Sequence, residues 1–351
     1  MRIIPVKGLT PDMELAKPVF QNDSVLLNRG VKNLHKYKEK LLFFGINYVY
    51  ITDEYSRDIV INGVIKDETR QKGRVIIEQA LNDIFLGNDI DIRRIKEVIY
   101  EMVDDILSIE NVLVNLIDIK SFDSYTFAHS VNVAAISILI GQLLNLPEHR
   151  LVELGIGAIL HDIGKILIPE EIINKPDILS NEELKIIRDH PRLGYNYLKD
   201  CQEISAVSRI IVLLHHERLD GSGYPKSLSE EDIHLFARIV AIADVFDALT
   251  TDRTYRKRWS INEVIDYFMS NVNVKFDQLL VEKFIHNIAL YPNGMTVILS
   301  NGQKAIVKEQ NKYFPLRPVL RIVEEADGSK ASGKEVINLM NELDIIIIDN
   351  L

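Results

Sequence analysis

One cysteine, Cys201, and one tryptophan, Trp259, are all that the 351 residues hold of either type. A single thiol excludes an internal disulfide framework and any thiolate-rich metal site. Positive charge is also in the minority: 41 Lys and Arg against 51 Asp and Glu leave a formal net charge of −10. That balance argues against a chain that coats duplex nucleic acid or an anionic membrane, although positive charge gathered in one cleft would still take an anionic ligand. No apolar run reaches the ~18 residues of a membrane span. The longest, over residues 131–146, is interrupted by Asn132, Ser137, Gln142 and Asn145. The start, Met1-Arg2-Ile3-Ile4-Pro5, lacks a signal-peptide cleavage pattern. What is present is an ordinary globular composition, 47% apolar and 26% charged. The length suits one large domain or two to three ordinary ones. These features together read as a cytoplasmic, reduced, soluble protein.

Hydrophobic period divides the chain. Residues 1–60 mix short β-type runs (2–6, 24–27 and 48–51) with a helical-looking piece over 31–44, punctuated by Gly8, Pro11, Gly30 and Gly45. They read as a small α/β module for sensing, regulation or dimerisation. Residues 61–118 form a helical connector. Ile76, Ile77, Ala80, Leu81, Ile84 and Phe85 recur at i, i+3, i+4 spacing, and Ile95, Val98, Ile99, Met102, Ile106 and Leu107 repeat the pattern. These helices read as a signal-transmitting or dimer-forming seam, or as simple packing against the helical region beyond residue 118. Residues 119–290 are almost entirely helical, with capping boxes at Ser180/Glu183 and Ser260/Glu263. In residues 291–351, alternating runs flank Ser300-Asn301-Gly302, a hairpin signal. A short helix over 333–343 and a strand over 345–349 are expected to close the chain.

The chemistry lies in the helical region. Of nine histidines, His35, His149, His234 and His286 stand in unexceptional settings. The other five sit beside polar residues that an apolar core would not choose. His129 follows Asp123-Ser-Tyr-Thr-Phe-Ala at the start of a very hydrophobic helix. His161-Asp162 ends an apolar helix. His190-Pro191 begins another. His215-His216 enters a glycine-rich loop, and Asp244 and Asp247 lie inside an apolar segment. Burying so many ionisable groups uncompensated costs several kcal/mol each. Divalent cations remove that cost, since imidazole and carboxylate suit iron, manganese or zinc, and a shared Asp can hold a pair. A lone His at a helix end is more often a cap or a satisfied core residue. It is the set, recurring at intervals of 25 to 32 residues, that points to metal.

The motifs resemble the HD-GYP family, a subgroup of the HD phosphohydrolase superfamily. His161-Asp162-Ile163-Gly164-Lys165 stands where that family has HDxGK, and His190-Pro191 matches its HPxxG element. His215-His216-Glu217-Arg218-Leu219-Asp220-Gly221-Ser222-Gly223-Tyr224-Pro225 matches HHExxDGxGYP throughout. Ala243 to Leu249 and Asp252-Arg253-Thr254-Tyr255-Arg256 match its later signature. The resemblance covers residues 120–290 firmly. It implies a mainly α fold: an all-helical HD-type metallohydrolase core with a small α/β N-terminal module and a C-terminal β-hairpin appendage.

The resemblance further implies hydrolysis of cyclic di-GMP, to pGpG or GMP, by a hydroxide held between two metals, iron first and manganese next. His129, His161, Asp162 and Asp244 would hold one metal. Asp162 would bridge to a second, held by His190, His215 and His216. Some members add a carboxylate four residues before the first His for a third metal. Tyr125 stands there, with Asp123 two residues earlier, so two metals are expected. Catalytic roles fall to His161, Asp162 and Lys165, whose ammonium would reach the phosphate or protonate the leaving oxygen. Arg253 and Arg256 suit phosphate oxygens or are a solvated basic helix end. Asp220, Gly221, Gly223 and Tyr224 form a substrate-contacting loop, a docking point for a diguanylate cyclase, or a structural cap of the His-His helix. Asp247 either orients a ligating His or bonds backbone. Two alternatives stay open: the same chemistry on 3′,3′-cyclic GMP-AMP or another nucleotide, and a silent binding or scaffold protein. The presence of every expected ligand argues against silence.

Overall fold

The fold is that of a computed structural model, which describes residues 1–21, 24–61, 63–108, 114–115, 125–175, 177–251, 259–289, 291–311 and 314–350. The chain forms two compact units, and both are discontinuous in sequence.

The first unit joins residues 1–64, 111–125 and 286–351. Its N-terminal part holds β1 (Arg2–Pro5), β2 (Glu14–Leu15), β3 (Val19–Gln21), β4 (Ser24–Leu27), α1 (Lys38–Phe43) and β5 (Tyr48–Thr52). The sheet order is β1-β5-β2, with β3 and β4 a separate hairpin. β5 shows why it is a strand: Val49 and Ile51 are buried while Tyr48, Tyr50 and Thr52 are half-buried, the period of two that places one face on a core. That core is built from Leu9, Leu15, Leu34, Leu41 and Ile51. A short parallel pair comes next, β6 (Val114–Asn115) with β7 (Ile288–Ala289). The C-terminal part holds β8 (Thr296–Leu299), β9 (Lys304–Glu309), β10 (Val319–Glu324), β11 (Val336–Asn338) and β12 (Ile347–Asn350), in the order β11-β10-β9-β8-β12. The expected hairpin is there: Gly302, at φ +86, turns β8 into β9.

Two findings differ from the sequence reading. Residues 1–60 and 291–351 read as separate modules, yet they share one unit. Ile3 N–H donates to Gly294 O at 3.0 Å, the Tyr55 hydroxyl to Ala331 O at 3.2 Å, and the Arg321 guanidinium grips both oxygens of Asp58 at 2.6 and 2.7 Å. Ile59, Ile61 and Ile306 share a cluster. The shared cluster adds to the core that residues 4–51 already bury, since a core built by a segment of about 60 residues is only marginally stable by itself. Residues 333–343 read as a helix, but Val336–Asn338 is β11, antiparallel to β10. A lone helix of that length is marginal in water, whereas the edge of β10 offers ready backbone partners.

The second unit joins residues 65–110 and 126–285. It holds α2 (Asp67–Phe85), α3 (Ile92–Leu107), α4 (Tyr125–Leu143), α5 (Glu148–Ile159), α6 (Glu170–Ile173), α7 (Asn181–Ile187), α8 (His190–Leu198), α9 (Ala206–Leu214), α10 (Leu235–Thr250), α11 (Ile261–Ser270) and α12 (Gln278–Asn287). Both capping boxes read from the sequence form, at α7 and α11. α4 is the central helix. From Val131 to Ile140 its apolar side chains are buried around the whole circumference, as an all-round apolar helix must be. α2 and α3 pack into this same unit. The fold is therefore mainly α, with small sheets at the two ends of the sequence. Among the described residues no helix is long and apolar enough to cross a membrane.

Candidate metal centre

Each residue of the centre sits near the end of a helix or on a helix face that the apolar pattern turns inward. His129 lies in the first turns of α4. His161 and Asp162 come after α5 and lead into a tight 3-10 turn, Ile163–Leu167. His190 opens α8, His215 and His216 close α9, and Asp244 and Asp247 face inward from α10. Gly164 explains how the turn after α5 reaches α8: a Cβ there would stand 2.0 Å from His190 O and 2.6 Å from Gly194 N. Only a residue without a side chain lets these two backbones touch, and their contact sets Asp162 beside His190.

The structure brings all seven expected ligand residues together in two groups. Asp162, His190, His215 and His216 form one, and His129, His161 and Asp244 the other, with the candidate ligand atoms of each group within 4.8 Å of one another. The two oxygens of Asp162 face opposite ways. Oδ1 lies 3.2 Å from His190 Nε2 and 3.9 Å from His215 Nε2. Oδ2 lies 3.3 Å from His161 Nε2 and 3.7 Å from His129 Nε2. Asp244 also straddles, with Oδ1 3.3 Å from His129 Nε2 and Oδ2 3.8 Å from His216 Nδ1.

The donor set fits divalent cations. Nδ1 of His161, His190 and His215 each lies 2.8 to 2.9 Å from a backbone carbonyl, those of Ala158, Ile187 and Val212. Donation there leaves Nε2 as the lone-pair nitrogen facing inward. His161 Nε2 and Asp162 Oδ1 are buried with no hydrogen-bond partner among the described residues, a costly state that a cation would relieve. The charge states agree at His215, His216, Asp162 and Asp244 but not at His129, whose proton a cation would have to displace. Burial pushes His215 and His216 well below the usual histidine range, with neighbouring imidazoles acting in the same sense on both. Burial opposes ionisation of Asp162, but His161 and Lys165 overcome it and hold the carboxyl well down. Asp244 is likewise held down, against burial, by His129 and His216. Burial also disfavours a charged His129, yet Asp244 and Asp247 outweigh it and push this ring up to about 10. Nitrogen and oxygen donors without thiolate suit iron, manganese or zinc.

Lys165 departs from the simple helical picture. The 3-10 turn puts its Nζ 2.5 Å from Asp162 Oδ2, so it pairs with the shared carboxylate. The loop after His216 is also more structural than its glycines suggest. Asp220 Oδ1 accepts from Ser222 N and Oγ at 2.9 and 2.6 Å, closing a local turn in which Gly221 has φ +74. A Cβ on Gly223 would stand 2.4 Å from Glu217 Cα. Tyr224 lies over His216, ring centroids 4.6 Å apart and planes 30° from parallel. Burial, then the Asp244 and Asp162 charges, push its hydroxyl far up. Arg253, Arg256 and Asp123 lie outside the described residues.

Three supporting residues escaped the sequence reading. Asn132 Nδ2 donates to Asp247 Oδ1 at 2.9 Å, and Asp247 Oδ2 meets His129 Nδ1 at 2.7 Å. The available signal was a polar residue three positions after His129 in an otherwise apolar helix. Buried Glu217 accepts Lys226 N at 2.7 Å and Leu228 N at 3.0 Å, which ties the glycine-rich loop to the His-His turn. An acidic residue directly after two histidines was the clue. Arg188 lies with its guanidinium carbon 5.6 Å from the Tyr224 ring centroid, and only the fold reveals it.

A helical core with this His/Asp arrangement defines the HD-domain class, and residues 111–280 match the HD domain family model. Within that class its motifs resemble those of the HD-GYP family. Residues 296–351, which carry the C-terminal sheet, match the KOW domain associated with HD domain. The chain is 35% identical over 268 residues to the cyclic di-GMP phosphodiesterase PA4108 of Pseudomonas aeruginosa, covering 76% of this chain and 64% of that one. It is 31% identical over 252 residues to 3′3′-cGAMP-specific phosphodiesterase 2 of Vibrio cholerae, covering 70% of this chain and 46% of that one. The chain thus spans less than two thirds of these relatives' lengths. In fold it is similar to Bd1817, an HDG"Y"P protein from Bdellovibrio bacteriovorus, with a TM-score of 0.54 and 22% identity over 80% of this chain and 97% of that one.

Proposed function

We propose that this chain is a metal-dependent phosphodiesterase that opens cyclic di-GMP, to pGpG or on to GMP. The observation that carries the reading is Asp162, whose two oxygens face two separate sets of imidazole nitrogens. His129, His161 and Asp244 would hold one divalent ion, and His190, His215 and His216 another, with Asp162 shared. Iron is the first candidate and manganese the next, since the donors are imidazole and carboxylate without thiolate. When bound, such a pair lowers the pKa of water toward 7 and neutralises phosphoryl oxygens.

The chain's own residues do the rest. Backbone carbonyls orient three rings through Nδ1, and Asp247 orients a fourth. Lys165 Nζ, beside Asp162 Oδ2, is the cation set to meet a phosphoryl oxygen or to give a proton to the leaving 3′ oxygen. Arg253 and Arg256 would bind phosphate oxygens, and Asp220, Gly221, Gly223 and Tyr224 would border the substrate. In this reading residues 119–290 are the catalytic domain and 61–118 its helical connector. Residues 1–60 regulate or dimerise, and the Asp220 to Pro225 loop takes a diguanylate cyclase partner. The support is the motif resemblance and the name of PA4108. The name of the Vibrio cholerae relative favours a second reading, the same chemistry on 3′,3′-cyclic GMP-AMP.

Anaerobically purified protein, assayed by chromatography with either cyclic dinucleotide, tests the proposal. Cleavage that disappears in the His161→Ala/Asp162→Ala variant supports it. Fully metallated wild type that cleaves neither substrate overturns it in favour of a binding role.

A further inference from the structure

Several described cations around the His/Asp cluster are committed to partners. Lys165 Nζ is paired with Asp162. Arg218 donates to the carbonyls of His215 and Glu217 and lies over Phe276. Arg192 pairs with Asp189, and Lys175 with Glu183. Arg188, at the C-terminal end of α7 and two residues before His190, is exposed. Among the described residues its guanidinium makes no hydrogen bond or ion pair, and it lies against the Tyr224 ring at 5.6 Å. That ring lies 4.6 Å from His216 and 6.4 Å from His190, centroid to centroid. An uncommitted guanidinium therefore stands against a ring that itself lies over His216.

A cyclic dinucleotide carries two phosphodiester anions. While one is at the His/Asp cluster, the other lies away from it, beside a protein whose net charge is −10. A guanidinium resting on an aromatic face is partly ordered before the anion arrives, and its fork of donors matches phosphate oxygens. We propose that Arg188, held over Tyr224, is a substrate-binding residue that takes the phosphodiester not being cleaved. This rests on the cyclic dinucleotide reading above. It assigns to Tyr224 the task of holding Arg188 while lying over His216.

The test compares wild type, Arg188→Gln and Arg188→Lys on cyclic di-GMP and on bis(4-nitrophenyl) phosphate, a diester with one anion, with metal content measured on every sample. A charge-assisted bond to phosphate implies that Arg188→Gln raises KM for cyclic di-GMP about 10–100-fold. The effect on kcat is much smaller, and the small diester loses far less than the dinucleotide. Arg188→Lys recovers part of the loss. An unchanged KM for cyclic di-GMP, or equal losses on both substrates, overturns the role of Arg188 while leaving the phosphodiesterase reading standing. Wild type that cleaves the small diester but no cyclic dinucleotide overturns the substrate reading, and Arg188 with it.

Discussion

Asp247 Oδ2 lies 2.7 Å from Nδ1 of His129, and the other oxygen of the same carboxylate accepts from Asn132 at 2.9 Å. A carboxylate on one helix thus fixes the ring of a candidate ligand on another, and an amide fixes the carboxylate. Such outer partners set the tautomer and raise the basicity of the inward nitrogen. Asp247→Ala is expected to weaken metal affinity about 10–100-fold. Asn132→Leu is expected to weaken it less. Competition with a chromophoric chelator measures both, and unchanged affinity in Asp247→Ala refutes the orienting role.

Gly164 is expected to tolerate no side chain. The Cβ of Gly164→Ala would meet backbone atoms of His190 and Gly194, which cannot rotate away. The expected cost is about 3 kcal/mol or more, at the upper end of overpacking effects, together with metal loss as Asp162 and His190 move apart. Gly8→Ala, where nothing stands within 4 Å, serves as a control. Denaturant midpoints compare them, and equal midpoints contradict the account.

Glu217 carries the glycine-rich loop on two backbone N–H groups. Glu217→Ala strands these donors and is expected to cost about 1–3 kcal/mol. Because the loop holds Tyr224 over His216, proteolysis should open the chain near residues 220–228 sooner in the variant. Unchanged Tm and cleavage pattern would show that the loop holds itself.

Asp58 gives the first unit an acid-dependent contact. The Arg321 guanidinium holds its carboxyl down to about 2, against an ordinary value of 3.8. A carboxyl depressed in the folded state contributes stability that is fully present above the unfolded pKa of about 3.9 and lost as pH falls through the folded value. Asp58 is 53% exposed, so solvent screening keeps the contribution small. The stability gap between wild type and Asp58→Asn is expected to be constant above about pH 5 and to close toward pH 2. A gap that does not change with pH rules the contact out as its source.

Much of the centre was legible before any coordinates. His129, His161, Asp162, His190, His215, His216 and Asp244 could be singled out because ionisable groups inside apolar helices need a reason, and period and capping placed those helices. A shared Asp162 was implied by the resemblance, but which of its oxygens meets which rings was not legible, nor was the pairing of Lys165 with it. Both depend on a 3-10 turn where helical spacing suggested a continued α-helix. Arg188 was invisible because its meaning comes from Tyr224, which lies 36 residues away and meets it only in the fold. Residues 333–343 misled for a related reason. Their local pattern allows a helix, but the edge of β10 supplies partners that no local window contains.

The most direct test of the account is metal content against activity on a single sample. Protein loaded anaerobically with iron or manganese is expected to hold about two ions per chain and to cleave cyclic di-GMP. Chelation should abolish both, readdition of the metal should restore both, and His161→Ala/Asp162→Ala should lose both. Full turnover in protein stripped of metal, or a fully loaded wild type that cleaves no cyclic dinucleotide, would contradict it.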